Sequence, residues 1–102
     1  MYRVSVMYPN EEGARFDHDY YKGHHMELVA KHMKPFGLIK YEADKGVSGS
    51  GGAPAPYIGI GYLYFETLDG YDRGIAEHGA TLRNDIPNFT NVTPTRQISE
   101  ML

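Results

Sequence analysis

Residues 57–66 read YIGIGYLYFE, with apolar side chains on both faces of an extended chain: Ile58, Ile60, Tyr62 and Tyr64 on one, Tyr57, Leu63 and Phe65 on the other. A strand that is apolar on both faces needs cover on both, which places it in the middle of a sheet. The rest of the chain has to supply its neighbours. Tyr2 to Tyr8 alternates, with Tyr2, Val4, Val6 and Tyr8 on one face and Arg3, Ser5 and Met7 on the other, and reads as a strand closed by PNEEG. LIKYEADK (Leu38 to Lys45) reads as a half-polar strand. The stretch from about Thr95 to Met101 follows Pro94 and carries Arg96 and Glu100, the marks of an edge strand.

Two helices separate these strands. Asp17 is a natural N-cap for a helix running to about Met33, which KPFG ends with Pro35 and Gly37. A second helix is expected from Thr67 or Leu68 to Leu82 or Arg83, with Leu68, Tyr71, Ile75, His78 and Leu82 spaced by three or four. Gly70, Gly74 and Gly79 each weaken it by roughly 1 kcal/mol relative to alanine, so packing must hold it. Residues 46–56, GVSGSGGAPAP, predict a mobile loop without regular structure, with its service as a lid left open.

The order is strand, helix, strand, strand, helix, strand. Placing the more apolar first and third strands at the centre gives the sheet order 4-1-3-2, an α+β, ferredoxin-like βαββαβ domain spanning residues 1–102. Both helices then cover one face. Apolar residues left on the other face predict a homodimer joined sheet to sheet.

Composition removes several function classes. With 41% hydrophobic and 23% charged residues and a net charge of −3 spread over both signs, nothing favours nucleic acid or an anionic membrane. The absence of cysteine excludes disulfides, thiolate zinc sites and cysteine nucleophiles. The apolar N-terminus is too short for an export signal or a membrane span, so a cytoplasmic protein is expected, and the NFT and NVT sequons at Asn88 and Asn91 read as ordinary sequence. GIGYLY lacks the third glycine and the strand-to-helix context of a dinucleotide fingerprint. No phosphate loop or nucleophile elbow is present either.

Chemistry concentrates in DHDYYKGHHMELVAKH, from Asp17 to His32, which holds four of the five histidines. At 100° per residue, Tyr21, His25, Leu28 and His32 fall in an arc of about 60°, the face turned to the sheet, while Met26, Ala30 and Met33 lie off it. His25 and His32 are about 10 Å apart along the axis, and His24 diverges from His25 by 100°. Shared metal ligation is therefore disfavoured, and no metal or cofactor is expected. His25 and His32 can serve as core histidines satisfied by a carbonyl or a tyrosine. His25 beside Tyr21 can also serve as a general base, with Tyr21 as its hydrogen-bond partner or an enolate stabiliser. Nine tyrosines suit an apolar pocket with a few polar tips, and Tyr41, Tyr62, Tyr64, Phe65, Phe89 and His32 are the candidates for its wall. Gly59 and Gly61 share one face of their strand, which fits either a close backbone approach or a cavity.

FDHDYYKGHHMELVAKH, GLIKYE, YIGIGYLYFETLDGY and DIPNFTNVTPTRQI together resemble the EthD family, named for degradation of ethyl tert-butyl ether, over nearly the whole length. The most specific parts are YYKGHHMEL, similar to the family's tyrosine-x3-histidine stretch, and DIPNFTN; Glu27 stands where the family often has proline. The resemblance implies a dimeric α+β barrel. It further implies the label of reductase or oxidoreductase beside a cytochrome P450 ether-cleaving system, or dehydratase chemistry on aromatic polyketides. Related barrels include cofactor-free monooxygenases, muconolactone isomerases and haem-binding enzymes. The expectation is a small protein that takes an apolar or aromatic organic compound between sheet and helices, with acid/base chemistry at His25; a carrier, or an accessory to a separate oxygenase, is the alternative.

Overall fold

The computed structural model describes all 102 residues. Strands β1 (Tyr2–Pro9), β2 (Leu38–Lys45), β3 (Tyr57–Phe65) and β4 (Thr95–Glu100) form one antiparallel sheet in the order β2-β3-β1-β4, the expected 4-1-3-2 arrangement read from the other edge. Helix α1 is built of three segments: an α turn His18–Tyr20, a π-helical turn Tyr21–His25 and α-helical Met26–Met33. Helix α2 spans Leu68–Asp85. It runs two or three residues past the expected Leu82 or Arg83 before a 3-10 turn, Ile86–Asn88, which contains Pro87, ends it.

The register decides which side chains meet the helices. Val4, Val6 and Tyr8 of β1 stand opposite Leu63, Gly61 and Gly59 of β3, so these share the covered face. Against them pack Tyr21, Met26, Val29 and Met33 of α1 and Tyr71 and Leu82 of α2. Val4, Tyr8, Met33, Phe65 and Phe89 are sealed from solvent, each contributing roughly 1.5–3 kcal/mol by leaving water. The glycines of α2 mark its closest approaches: a Cβ at Gly74 would stand 2.6 Å from the Met33 methyl. The helix gives up propensity there to bring α1 near.

The other sheet face carries Met7, Ile60, Tyr62 and Tyr64 at its centre, all partly or largely buried, with Arg3, Lys40, Glu42 and Asp44 around them. It is an apolar centre in a charged rim rather than a uniformly apolar surface, because the outward residues of β1 are Arg3, Ser5 and Met7. The Arg3 guanidinium lies 5.6 Å from the Tyr62 ring centroid, and its Nε is buried without a hydrogen-bond partner.

The Gly/Ser/Ala/Pro stretch departs from its expectation. Gly46 N donates to Ile58 O, Gly49 N donates to Ala53 O, Asn10 Nδ2 donates to Ala55 O, and Ser50–Gly52 makes a 3-10 turn with Gly51 and Gly52 at positive φ. Glycine supplies left-handed backbone there, so the segment folds as a tied connection. No helix is long and apolar enough to cross a membrane.

Candidate functional site

Asp17 starts α1 as read from the sequence, its Oδ1 accepting from Tyr20 N at 3.0 Å. One turn later the helix widens: Met26 N–H donates to Tyr21 O, five residues back instead of four. A π turn adds one residue to the helical circuit. Beyond it the buried stripe therefore steps forward by one, to Met26, Val29 and Met33, in place of the expected Leu28 and His32. Only through this widening can Tyr21 and His25 face inward while Met26 also does.

His25 does not meet Tyr21 through a hydrogen bond. Their rings lie parallel within 14°, with centroids 5.6 Å apart, and the imidazole is held elsewhere. His25 Nδ1 donates to Asp85 Oδ2 at 2.9 Å, a tautomer assigned from the network because a carboxylate accepts only. The second oxygen of Asp85 accepts from the Tyr20 hydroxyl at 2.7 Å and from Asn88 Nδ2 at 3.0 Å. His24 stands 3.7 Å from the same carboxylate but is solvent-exposed. Burial pushes the Asp85 carboxyl up, and the bonds from Tyr20, Asn88 and His25 outweigh it, holding the group down at about 2. Burial, aided by the charges of His24 and Arg96, lowers the His25 pKa below 6.5 despite Asp85. At neutral pH the dyad is an imidazole with its proton on Nδ1 beside an ionised carboxylate.

Nε2 of His25 is the basic atom that remains. It makes no hydrogen bond, and the ring that carries it lines a hollow in the protein. That hollow is a cavity of about 200 Å³ between sheet and helices, with Val6, Tyr8, Gly61 and Leu63 as floor, Tyr21, Met26 and Val29 on one wall, and Tyr71, Ile75 and Leu82 on the other. It falls below the roughly 300–1,000 Å³ of drug-sized sites, so a guest must be small. Tyr8 and Tyr21 bring phenols to it. Burial raises the Tyr8 hydroxyl to about 12, and burial with the Tyr8 phenol alongside raises Tyr21 as well, so both stay protonated hydrogen-bond donors.

The glycines of β3 have an aromatic explanation rather than a backbone one. A Cβ at Gly59 would stand 2.8 Å from the Phe16 ring, and one at Gly61 would collide with the Tyr21 hydroxyl. Phe16 and Phe89 pack behind the cavity-lining Tyr8 and Tyr21, with edge-on or tilted contacts at 5.0–5.7 Å.

The remaining expected wall residues scatter. Phe89 is fully buried and tilts against the His25 ring with centroids 4.7 Å apart, behind the cavity. Phe65 belongs to the core and packs on Tyr71. Tyr62 and Tyr64 point to the opposite sheet face, where Tyr64 donates to Glu42. Tyr41 donates to Glu27 at the surface, and His32 Nδ1 donates to Leu28 O, the backbone satisfaction that its sequence allowed. Asp85, Tyr20, Tyr8, Arg83 and Arg96 had not been singled out. DIPNFTN, which opens on Asp85, was the signal. Its asparagines also fasten the site: Asn91 accepts from Arg15 N and donates to Gly13 O, a use of that side chain which glycosylation would break. No three histidine or carboxylate groups come together as metal ligands would.

The family model of the EthD domain matches residues 11–93. An EthD-like protein from Ralstonia eutropha JMP134 is 37% identical, with 97% of this chain and 89% of that one covered and a TM-score of 0.91. An ethyl tert-butyl ether degradation (EthD) family protein from Bacillus halodurans C-125 is 19% identical at 100% and 99% coverage, with a TM-score of 0.76. A dimeric ferredoxin-like protein from an uncultured marine organism, 17% identical with a TM-score of 0.53 and coverage of 99% and 97%, shares the fold. No curated protein matches the sequence.

Proposed function

The chain belongs to the EthD family, and from that premise we propose that it is a cofactor-independent acid/base enzyme acting on a small, largely apolar organic molecule held between sheet and helices. The observation that carries the reading is the bond from buried His25 Nδ1 to Asp85, which leaves Nε2 as the free basic atom of a ring that lines the cavity. A carbon acid bound there gives a proton to Nε2. The imidazolium is stabilised by Asp85, and the electron pair moves onto the substrate oxygen as an enolate, within reach of the Tyr8 and Tyr21 phenols that line the same space. Returning the proton to another carbon isomerises the substrate, and expelling a β-hydroxyl as water dehydrates it. Both outcomes suit a pathway that degrades or remodels small organic compounds beside an oxygenase.

The working unit in this reading is a homodimer joined through the outer sheet faces. The half-buried Met7, Ile60 and Tyr62 beside Tyr64 and the unpartnered Arg3 Nε support it, and the dimeric ferredoxin-like neighbour agrees at the level of fold. Light scattering should give twice 11.5 kDa, and Tyr62→Glu should give the monomer. A monomeric unmodified protein at micromolar concentration removes the dimer.

Deuterium uptake from D2O into the benzylic carbon of phenylacetone tests the chemistry. The protein should accelerate it over buffer, and His25→Ala should lower the rate by about 10²–10⁴-fold while circular dichroism is retained. Undiminished uptake in that variant contradicts His25 as the base, and binding without uptake makes the protein a carrier.

A further inference from the structure

The cavity is mostly apolar, yet two guanidinium side chains stand on its wall. Arg96 lies in β4 opposite Val6, so the register places it on the helix-covered side of the sheet. Arg83 comes from the last turn of α2. Both line the cavity, and both also line a second cleft of about 380 Å³ with few hydrophobic residues in its wall, so they stand where the two hollows meet. Neither forms an ion pair.

Gly79 makes this placement of Arg83 feasible, because a Cβ there would stand 2.8 Å from Arg83 Nη1. The side chain folds back against its own helix at the cavity wall. The Arg96 charge is felt inside: burial raises the Tyr8 and Tyr71 hydroxyls, and Arg96 is the largest influence opposing it. An inward charge on an edge strand also guards that edge against foreign pairing, but such a guard calls for no second cation from a helix. The local balance is two positive charges against the one of Asp85, and a single bound anion neutralises it.

Taking the cavity as the ligand site, we propose that Arg83 and Arg96 bind the carboxylate of a small keto acid whose otherwise apolar body, ketone included, fills the cavity and whose carbon beside the ketone faces His25. A guanidinium fork matches the two oxygens of a carboxylate. A phosphate dianion would be met by further cations or by a nest of backbone amides, and none is part of this wall. The acid thus enters body first and stops at the mouth by its charge.

Isothermal titration calorimetry at pH 8 with phenylacetate, its neutral isostere phenylacetamide and phenyl phosphate tests this in the unmodified protein. Phenylacetate should bind at least tenfold more tightly than phenylacetamide. Arg83→Gln and Arg96→Gln should each reduce that preference, and together abolish it, with amide affinity unchanged within about twofold. Both side chains are exposed, so circular dichroism should not change. Equal binding of acid and amide, or a preference that survives the double substitution, overturns the carboxylate site and leaves the cavity reading standing. Tighter binding of phenyl phosphate overturns the choice of carboxylate. Failure of all three probes to bind the folded protein removes the carboxylate site and the cavity reading together.

Discussion

His25 Nδ1 and Asp85 Oδ2 stand 2.9 Å apart across 60 residues of chain, with only 6% and 8% of the two residues exposed. Helix α1 brings the ring and the end of α2 brings the carboxylate, so the dyad exists only once both helices have packed on the sheet. Asp85→Asn keeps the size of the side chain but removes the charge, and its amide no longer fixes the Nδ1–H tautomer. Deuterium uptake should fall by about 10²–10⁴-fold with the fold retained, read by NMR on phenylacetone. Unaltered uptake would mean that Asp85 serves packing alone.

The π turn makes a sharper prediction. Deleting Gly23, which is exposed and touches nothing through a Cβ position, removes the extra residue and lets α1 run as an α-helix throughout. Tyr21, Met26, Val29 and Met33 then share one α-helical stripe without the widening, while His25 moves to three residues after Tyr21, at the edge of that stripe and out of register with Asp85. Thermal stability should change by no more than a few degrees, and deuterium uptake should be lost. Retained uptake would show that the widening does not position the base.

That same turn marks where the sequence stops being legible. Alternation and apolar runs located all four strands, and the greater apolarity of the first and third gave the sheet order, because both signals are local. The helical wheel placed Tyr21 and His25 correctly and then failed at Leu28 and His32, since a uniform 100° step contains no extra residue. Tyr62 and Tyr64 looked like wall residues because composition alone cannot tell which sheet face the helices cover. Asp85 escaped notice for a different reason: it lies 60 residues from its partner, and an acid at a helix end resembles ordinary surface.

Gly61 and Tyr21 are coupled by contact. A methyl at position 61 meets the Tyr21 hydroxyl, so Gly61→Ala should destabilise the protein by about 1–3 kcal/mol. Tyr21→Phe removes the clashing oxygen and should recover most of that loss in the double variant. Urea unfolding of the four proteins gives the coupling directly; additive effects would contradict the contact.

Stability should fall at both ends of the pH scale, for different groups. The Asp85 carboxyl lies at about 2 in the folded protein against an ordinary 3.8, which supplies about 2 kcal/mol above pH 3.8 and is lost as pH falls toward 2. Folding also favours neutral His25, so its contribution is complete above pH 6.5 and declines below that value. The Tyr8 hydroxyl is raised from 10 to about 12, and its contribution is present below pH 10 and lost as pH rises toward 12. Calorimetric Tm should therefore plateau from about pH 7 to pH 9, and a maximum near pH 5 would contradict these assignments.

The most direct test of His25 as the proton-transferring base joins its titration to the rate. With ¹⁵N-labelled histidine, the His25 ring should show Nδ1–H and a bare Nε2 at pH 7, and should become protonated only below pH 6.5. Deuterium uptake into phenylacetone should lose its rate along that same curve as the imidazole gains its proton. A rate that stays flat while the His25 nitrogen signals titrate would contradict the account.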